Sequence, residues 1–135
     1  MPWFLALLSK AYAGRGQKAE ALAALAEALD LAEHYGIGWY LPEIHRLRGE
    51  LLLEHAHSDA DVAETCFREA LEVARQQQAK MLELRAATSL ARLWRHQSKP
   101  REAHDLLASV YEWFTEGFDT SDLKEAKALL EELGA

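Results

Sequence analysis

Apolar residues recur at spacings of three and four along almost the whole chain, and the breaks between these runs predict seven helices. The first runs from about Pro2, a favoured first-turn residue, to Ala13, and stops at Gly14-Arg15-Gly16. The second spans about Gln17 to Tyr35 with a stripe of Ala21, Leu25, Ala28, Leu29 and Ala32. Gly36-Ile37-Gly38 ends it, since glycine takes the left-handed cap conformation without steric cost. The third covers about Trp39 to His55, with Ile44, Leu47 and Leu51 on one side and Pro42 in its first turn. His57-Ser58-Asp59 offers caps for the fourth, about Asp59 to Gln77, whose inner face is Ala63, Cys66, Phe67, Ala70 and Ala74.

The fifth helix runs from about Ala79 to His96, and Ser98-Lys99-Pro100 opens the sixth. Ala103, Leu106, Leu107, Val110 and Phe114 line the inner side of the sixth, and Gly117 is its predicted stop. Asp119-Thr120-Ser121-Asp122 supplies N-cap residues and suitably placed acids for the last helix, about 121–133. Leu123, Ala126, Leu130 and Leu133 share one side of it, against Lys124, Glu125, Glu131 and Glu132 on the other. A helix apolar inward and polar outward is what closes the end of a stack. The expected class is therefore all-α.

The apolar pattern also repeats. Leu5, Leu8, Ser9, Tyr12, Ala21 and Leu25 correspond in spacing to Ala87, Leu90, Ala91, Trp94, Ala103 and Leu107. A middle segment shares the second half, Ala63 then Phe67. Repeated helix pairs cannot bury their apolar faces alone, so they stack and leave a long concave surface suited to holding a partner. The small residues, Ser9 and Ala91, stand where one helix must approach its neighbour closely.

With 135 residues, half of them apolar and few Gly or Pro, one helical domain with a real core is expected and disorder is not. No apolar run reaches the length of a membrane span. The apolar opening Met1-Pro2-Trp3-Phe4-Leu5 lacks a basic leader and continues the helical spacing, so it reads as mature helix. The single Cys66 excludes an internal disulfide and fits a reducing, cytoplasmic setting; it reads as a small buried apolar residue.

These anchor positions resemble the tetratricopeptide repeat, whose first helix carries a large residue, a Leu, a small residue and an aromatic, and whose second carries Ala and then an aromatic or Leu. The resemblance implies an α-solenoid of three helix pairs, about 2–35, 39–77 and 79–116, wound as a right-handed superhelix and closed by the capping helix. The period departs from the standard: 42 residues separate Ala21 from Ala63, and 40 separate Ala63 from Ala103, against about 34. In the middle repeat, Ile44, Leu47 and Leu51 align with the first-helix anchors, which leaves Gly49 unexplained; aligning Gly49 instead puts His45 and Arg48 in apolar positions. Trp94 takes the aromatic position and is expected in the core, and Trp113 is expected to pack under the last helix.

Three stretches, Ile44–Leu52, Leu84–Trp94 and Trp113–Thr120 running on into Asp122–Lys127, resemble the C-terminal tail of multidomain bacterial proteins. In those proteins a class III adenylate or guanylate cyclase or a DNA-binding domain precedes an AAA-type signalling ATPase and then tetratricopeptide repeats. The resemblance implies a regulatory tail and nothing catalytic in this chain. Gly14-Arg15-Gly16 is too short for a phosphate loop, the six histidines show no metal-ligand spacing, and no nucleophile–base arrangement follows from spacing. No catalytic residue, cofactor or metal is expected.

Charge changes the picture most. The formal net charge is −7, but residues 75–101 hold seven basic residues and one acid, while both flanking segments are acidic. Nucleic acid and anionic membrane are therefore poor partners. On the fifth helix Arg85, Thr88, Arg92 and Arg95 form a stripe. If the first helix of each pair lines a groove, as the family resemblance implies, the matching positions are Trp3, Ala6 and Lys10, then Glu43, Arg46 and Glu50. The stripe reads either as a solvated helix face offset by internal acids or as a groove for an acidic peptide, a C-terminal carboxylate or an acidic helix. Trp3 also marks an apolar edge that is expected to meet the rest of a larger protein or a second copy. A protein-interaction module, a regulatory piece of an enzyme acting in cis and a structural dimerisation unit all remain open at this level.

Overall fold

The computed structural model describes residues 18–35, 41–53 and 60–134. Among them are six helices and no strand: α1 Lys18–Tyr35, α2 Leu41–Leu53, α3 Ala60–Gln76, α4 Lys80–His96, α5 Pro100–Tyr111 and α6 Ser121–Gly134. The class is all-α. The first predicted helix, with Trp3 and Lys10, lies outside the described residues, as do Trp39 and Tyr40. The five helices from α1 to α5 start within two residues of the predicted positions, because Pro, Gly and polar breaks mark them locally.

Each helix packs on the next in sequence, and α2 touches α4, which touches α6. Three apolar clusters hold this arrangement together. Ala21, Leu25 and Ala28 of α1 meet Ile44, Leu47 and Leu51 of α2. Ala63 and Phe67 of α3 meet Leu90 and Leu93 of α4. Ala70 and Leu71 join Leu84, Ala87 and Ala91, then Ala103, Leu107 and Val110 of α5, then Leu123, Ala126 and Leu129 of α6. Alanines fill so many of these positions because close helix crossings leave no room for larger side chains.

Gly49 shows the same constraint at its sharpest. A Cβ at this position would stand 2.6 Å from Cε1 of Phe67, well inside contact distance. Glycine is therefore the residue that lets α2 approach α3, while Ile44, Leu47 and Leu51 face α1. The helix buries two faces at once, and apolar spacing alone reported only one of them.

The turns between α3 and α4 and between α4 and α5 are built alike. Gln78 and Ser98 both take positive φ, 56° and 61°. In each turn the following amide reaches back five residues, Ala79 to the Ala74 carbonyl at 2.9 Å and Lys99 to the Trp94 carbonyl at 2.8 Å. This is the hydrogen-bond pattern that normally closes a helix on glycine. Two non-glycine residues adopt it at matching places, 20 positions apart in sequence.

Three readings of the sequence are corrected here. The sixth predicted helix stops at Tyr111, not at Gly117; the amides of Trp113 and Phe114 bond three residues back and tighten the chain out of the helix. Trp113 consequently does not pack under α6: it is 58 % exposed, edge-on to Phe114, with Lys80 over its ring. On α6 the fully buried residues are Leu123, Ala126 and Leu129, while Leu130 and Leu133 are only partly covered. The helix rests on both α4 and α5, so its apolar stripe is broader than one row.

Trp94 is partly buried, and its indole N–H donates to Glu64 Oε1 at 3.0 Å. Burial alone would raise the Glu64 carboxyl, but the bonds from Trp94 and Arg68 and the charges of Arg68 and Lys99 hold it below its ordinary 4.5. The folded state thus prefers the carboxylate. Its contribution is complete above about pH 4.5 and is lost as pH falls through the lower folded value. Acid unfolding followed by circular dichroism should show this, and Glu64→Gln should flatten the stability slope below pH 4.5. Cys66 is buried, and desolvation pushes its thiol above the ordinary value, which keeps it protonated and unreactive.

Candidate functional site

The row α2–α4–α6 gathers most of the charged groups that the sequence singled out. Glu43, on the first turn of α2, is only 1 % exposed, which a carboxylate tolerates only when paired. It accepts from Arg46, whose Nε lies 3.1 Å from both carboxylate oxygens and whose Nη2 also donates to it. A turn of helix brings positions three apart together, so this pair is local. Burial alone would lower the Arg46 guanidinium, but Glu43, with Glu50 and Asp122, raises it further above its ordinary value.

From α4, Arg85 extends the network in both directions. Its Nη1 is 3.7 Å from Glu43 and its Nε donates to Asp122 Oδ2 of α6 at 2.9 Å. Ser89 bridges α4 to α2: its hydroxyl donates to Glu50 at 2.7 Å and accepts from Arg46 Nη1 at 3.4 Å. Thr88 turns inward and donates to the Leu84 carbonyl at 2.8 Å. Further along, Arg92 meets Glu125 at 3.3 Å, and Arg95 pairs with Glu132. The arginine stripe is therefore not a bare cationic surface. A row of acids on α6 stands opposite it, and Glu43 and Glu50 of α2 stand on its other side.

Two cavities open along this row. The first, about 330 Å³, is walled by Glu43 and Arg46, by Arg85, Thr88, Ser89 and Arg92, and by Asp122 and Glu125. The second, about 290 Å³, is lined by Leu53, Ala60 and Leu93 with Glu50, Ser89, Arg92 and His96. Ser89 and Arg92 belong to both. One chamber is charged and the other mainly apolar, and they meet at these two side chains.

Of the residues predicted for a partner groove, Glu43, Arg46, Arg85 and Arg92 line the charged chamber, and Glu50 and Arg92 line the apolar one. Arg95 lines neither and is held by Glu132. Trp3 and Lys10 lie outside the described residues. Sequence reasoning missed the role of Asp122, Glu125 and Glu132, which it left as a cap residue and a solvated face. Their spacing of three and seven, in an acidic segment directly after a basic one, is the signal that could have revealed them. Leu53, Ala60 and His96 carried no signal, because only the crossing of α2, α3 and α4 brings them together.

Among the described residues no group of His, Cys, Asp and Glu could hold a metal ion, and no helix is long and apolar enough to cross a membrane. The face presents fixed guanidinium, carboxylate and hydroxyl groups beside a mainly apolar chamber. Comparison of the chain with protein-family models and with curated proteins gives no match.

Proposed function

We propose that this chain is a non-catalytic protein-interaction module of the bacterial cytoplasm, a right-handed solenoid of tetratricopeptide-like helix pairs whose α2–α4–α6 face receives a peptide or helix from a partner. The observation that carries this reading is the contact of alternate helices α2, α4 and α6 in one row, with their charged side chains converging on one cavity. A face built from every second helix is what stacked helix pairs generate on their concave side. Two further observations support it: the like-built turns at Gln78 and Ser98, and Gly49, which supplies the small residue of the middle repeat opposite Phe67. In this reading Gly49, rather than Ile44, Leu47 and Leu51, sets the register of that repeat.

The internal acids change what kind of partner is expected. Arg85 and Arg46 are each engaged by more than one carboxylate, so an acidic ligand gains little from them without displacing those groups. Selectivity then comes from a few exchangeable charges combined with apolar anchors, and not from net positive potential.

The test is affinity capture from bacterial lysate with the whole chain as bait, comparing wild type, Arg85→Gln/Arg92→Gln and a control, Arg101→Gln, at an exposed position of α5. Glutamine keeps hydrogen-bonding capacity and sets no like charge against α6. The double variant should lose partners that wild type and the control both retain at matched thermal stability. Identical partner sets from all three baits would remove this face from recognition.

A further inference from the structure

Arg92 differs from Arg46 and Arg85 in how it is held. Arg46 is engaged by Glu43, Glu50 and Ser89, and Arg85 by Glu43 and Asp122. Among the described residues the ion-pair partner of Arg92 is Glu125 alone, at 3.3 Å, with the two side chains 43 % and 55 % exposed. An exposed pair of this kind contributes little and exchanges readily. Arg95 is held in the same way, by Glu132, but lines neither chamber, so Arg92 is the loosely held cation that the two chambers present to a ligand.

Its position gives that freedom a use. Arg92 forms part of the wall between the charged chamber and the chamber of Leu53, Ala60 and Leu93. A carboxylate on its guanidinium would stand beside an apolar recess large enough for an aliphatic side chain. Glu50 on α2 and His96 on α4 also line that recess and offer hydrogen-bonding groups to a peptide backbone.

We propose that Arg92 and the Leu53–Ala60–Leu93 recess form one recognition unit for a peptide segment in which an acidic side chain adjoins an aliphatic one. The ligand carboxylate replaces Glu125 on Arg92, and the aliphatic side chain fills the recess. This assignment rests on the reading of the α2–α4–α6 face as the partner surface and names the chemistry that the face selects. The planar fork of a guanidinium can engage both oxygens of a carboxylate at such a point, which a lysine ammonium does not do. The recess supplies the apolar anchor without which an exposed charge contact is weak.

The experiment is a titration of the whole 135-residue chain, uniformly labelled with nitrogen-15, followed by amide chemical shifts. Three blocked tetrapeptides serve as probes: acetyl-Gly-Glu-Leu-Gly-amide, its Lys-Leu counterpart and its Glu-Ser counterpart. The Glu-Leu peptide should shift the amides of Ser89, Arg92 and Leu93 saturably, with about tenfold higher affinity than either control. Arg92→Gln should weaken it about tenfold with little change in melting temperature, and Ala60→Trp, which plugs the recess, should do the same. Arg92→Gln alters only an exposed pair, so it decides the matter even if Ala60→Trp fails to fold.

Equal binding of the three peptides, or binding indifferent to Arg92→Gln, would overturn the assignment. Stronger binding of the Lys-Leu peptide at the same amides would also overturn it while leaving the face as the partner surface. Absence of shifts at those amides with every probe would do so too, and the capture experiment would then decide the broader reading separately.

Discussion

Gly49→Leu should lower the thermal midpoint by roughly 10 °C, a loss of about 3 kcal/mol, because it drives a side chain into the close crossing of α2 and α3. The first atom added already fails to fit: a Cβ would lie 2.6 Å from Cε1 and 2.9 Å from Cδ1 of Phe67. Phe67 cannot give way, since it is fully buried and packs with Ala63, Leu90 and Leu93. The smaller change, Gly49→Ala, sets two effects against each other. Alanine gains about 1 kcal/mol of helix propensity over glycine, whereas overpacking costs about 1–3 kcal/mol. The clash should win by a modest margin. Introducing Gly49→Ala into a Phe67→Leu background should reverse the sign, because the smaller side chain frees the space. Melts of the four proteins followed by circular dichroism close this cycle, and a destabilising Gly49→Ala in both backgrounds would show that the crossing is not made by this pair.

Ala103→Trp should be comparably severe. Ala103 is fully buried on α5, in the cluster that joins α3, α4, α5 and α6, so an indole there has no direction in which to expand. Overpacking at a site enclosed from several sides costs about 3 kcal/mol or more. The matched control is Ala128→Trp on the exposed side of α6, which should change stability by about 0.5 kcal/mol at most. A melting temperature unchanged by Ala103→Trp would mean that α4 and α5 do not cross where the repeated alanine places them.

What could be read from the chain before its structure divides along a physical line. Helix starts and the burial of Ala63, Ala103, Leu107 and Leu123 followed from local spacing, because period and punctuation act within a few residues. The α5 end did not follow, since Tyr111 packs against Phe118 with the ring centroids 5.8 Å apart and the rings tilted at 50°, and that contact needs the chain to leave the helix first. Gly49 was opaque for a related reason: its role is set by a ring on another helix, 18 residues on. The arginine stripe was legible as a stripe, and so were the two ways of reading it. Which acids offset it was not, because Arg85 and Asp122 stand 37 residues apart and meet only when α6 folds back along α4. The apolar recess beside Arg92 was wholly outside the reach of spacing, being made by three helices at once.

The central claim is that the α2–α4–α6 face, and no other surface, takes up the partner. Hydrogen exchange of the whole chain, free and bound to a partner recovered by affinity capture, tests it most directly. The account predicts new protection in the amides of α2 and α4, centred on Glu50, Ser89, Arg92 and Leu93, with α5 unchanged. Protection confined to the exposed Trp113–Phe118 segment or to α3 and α5 would contradict it.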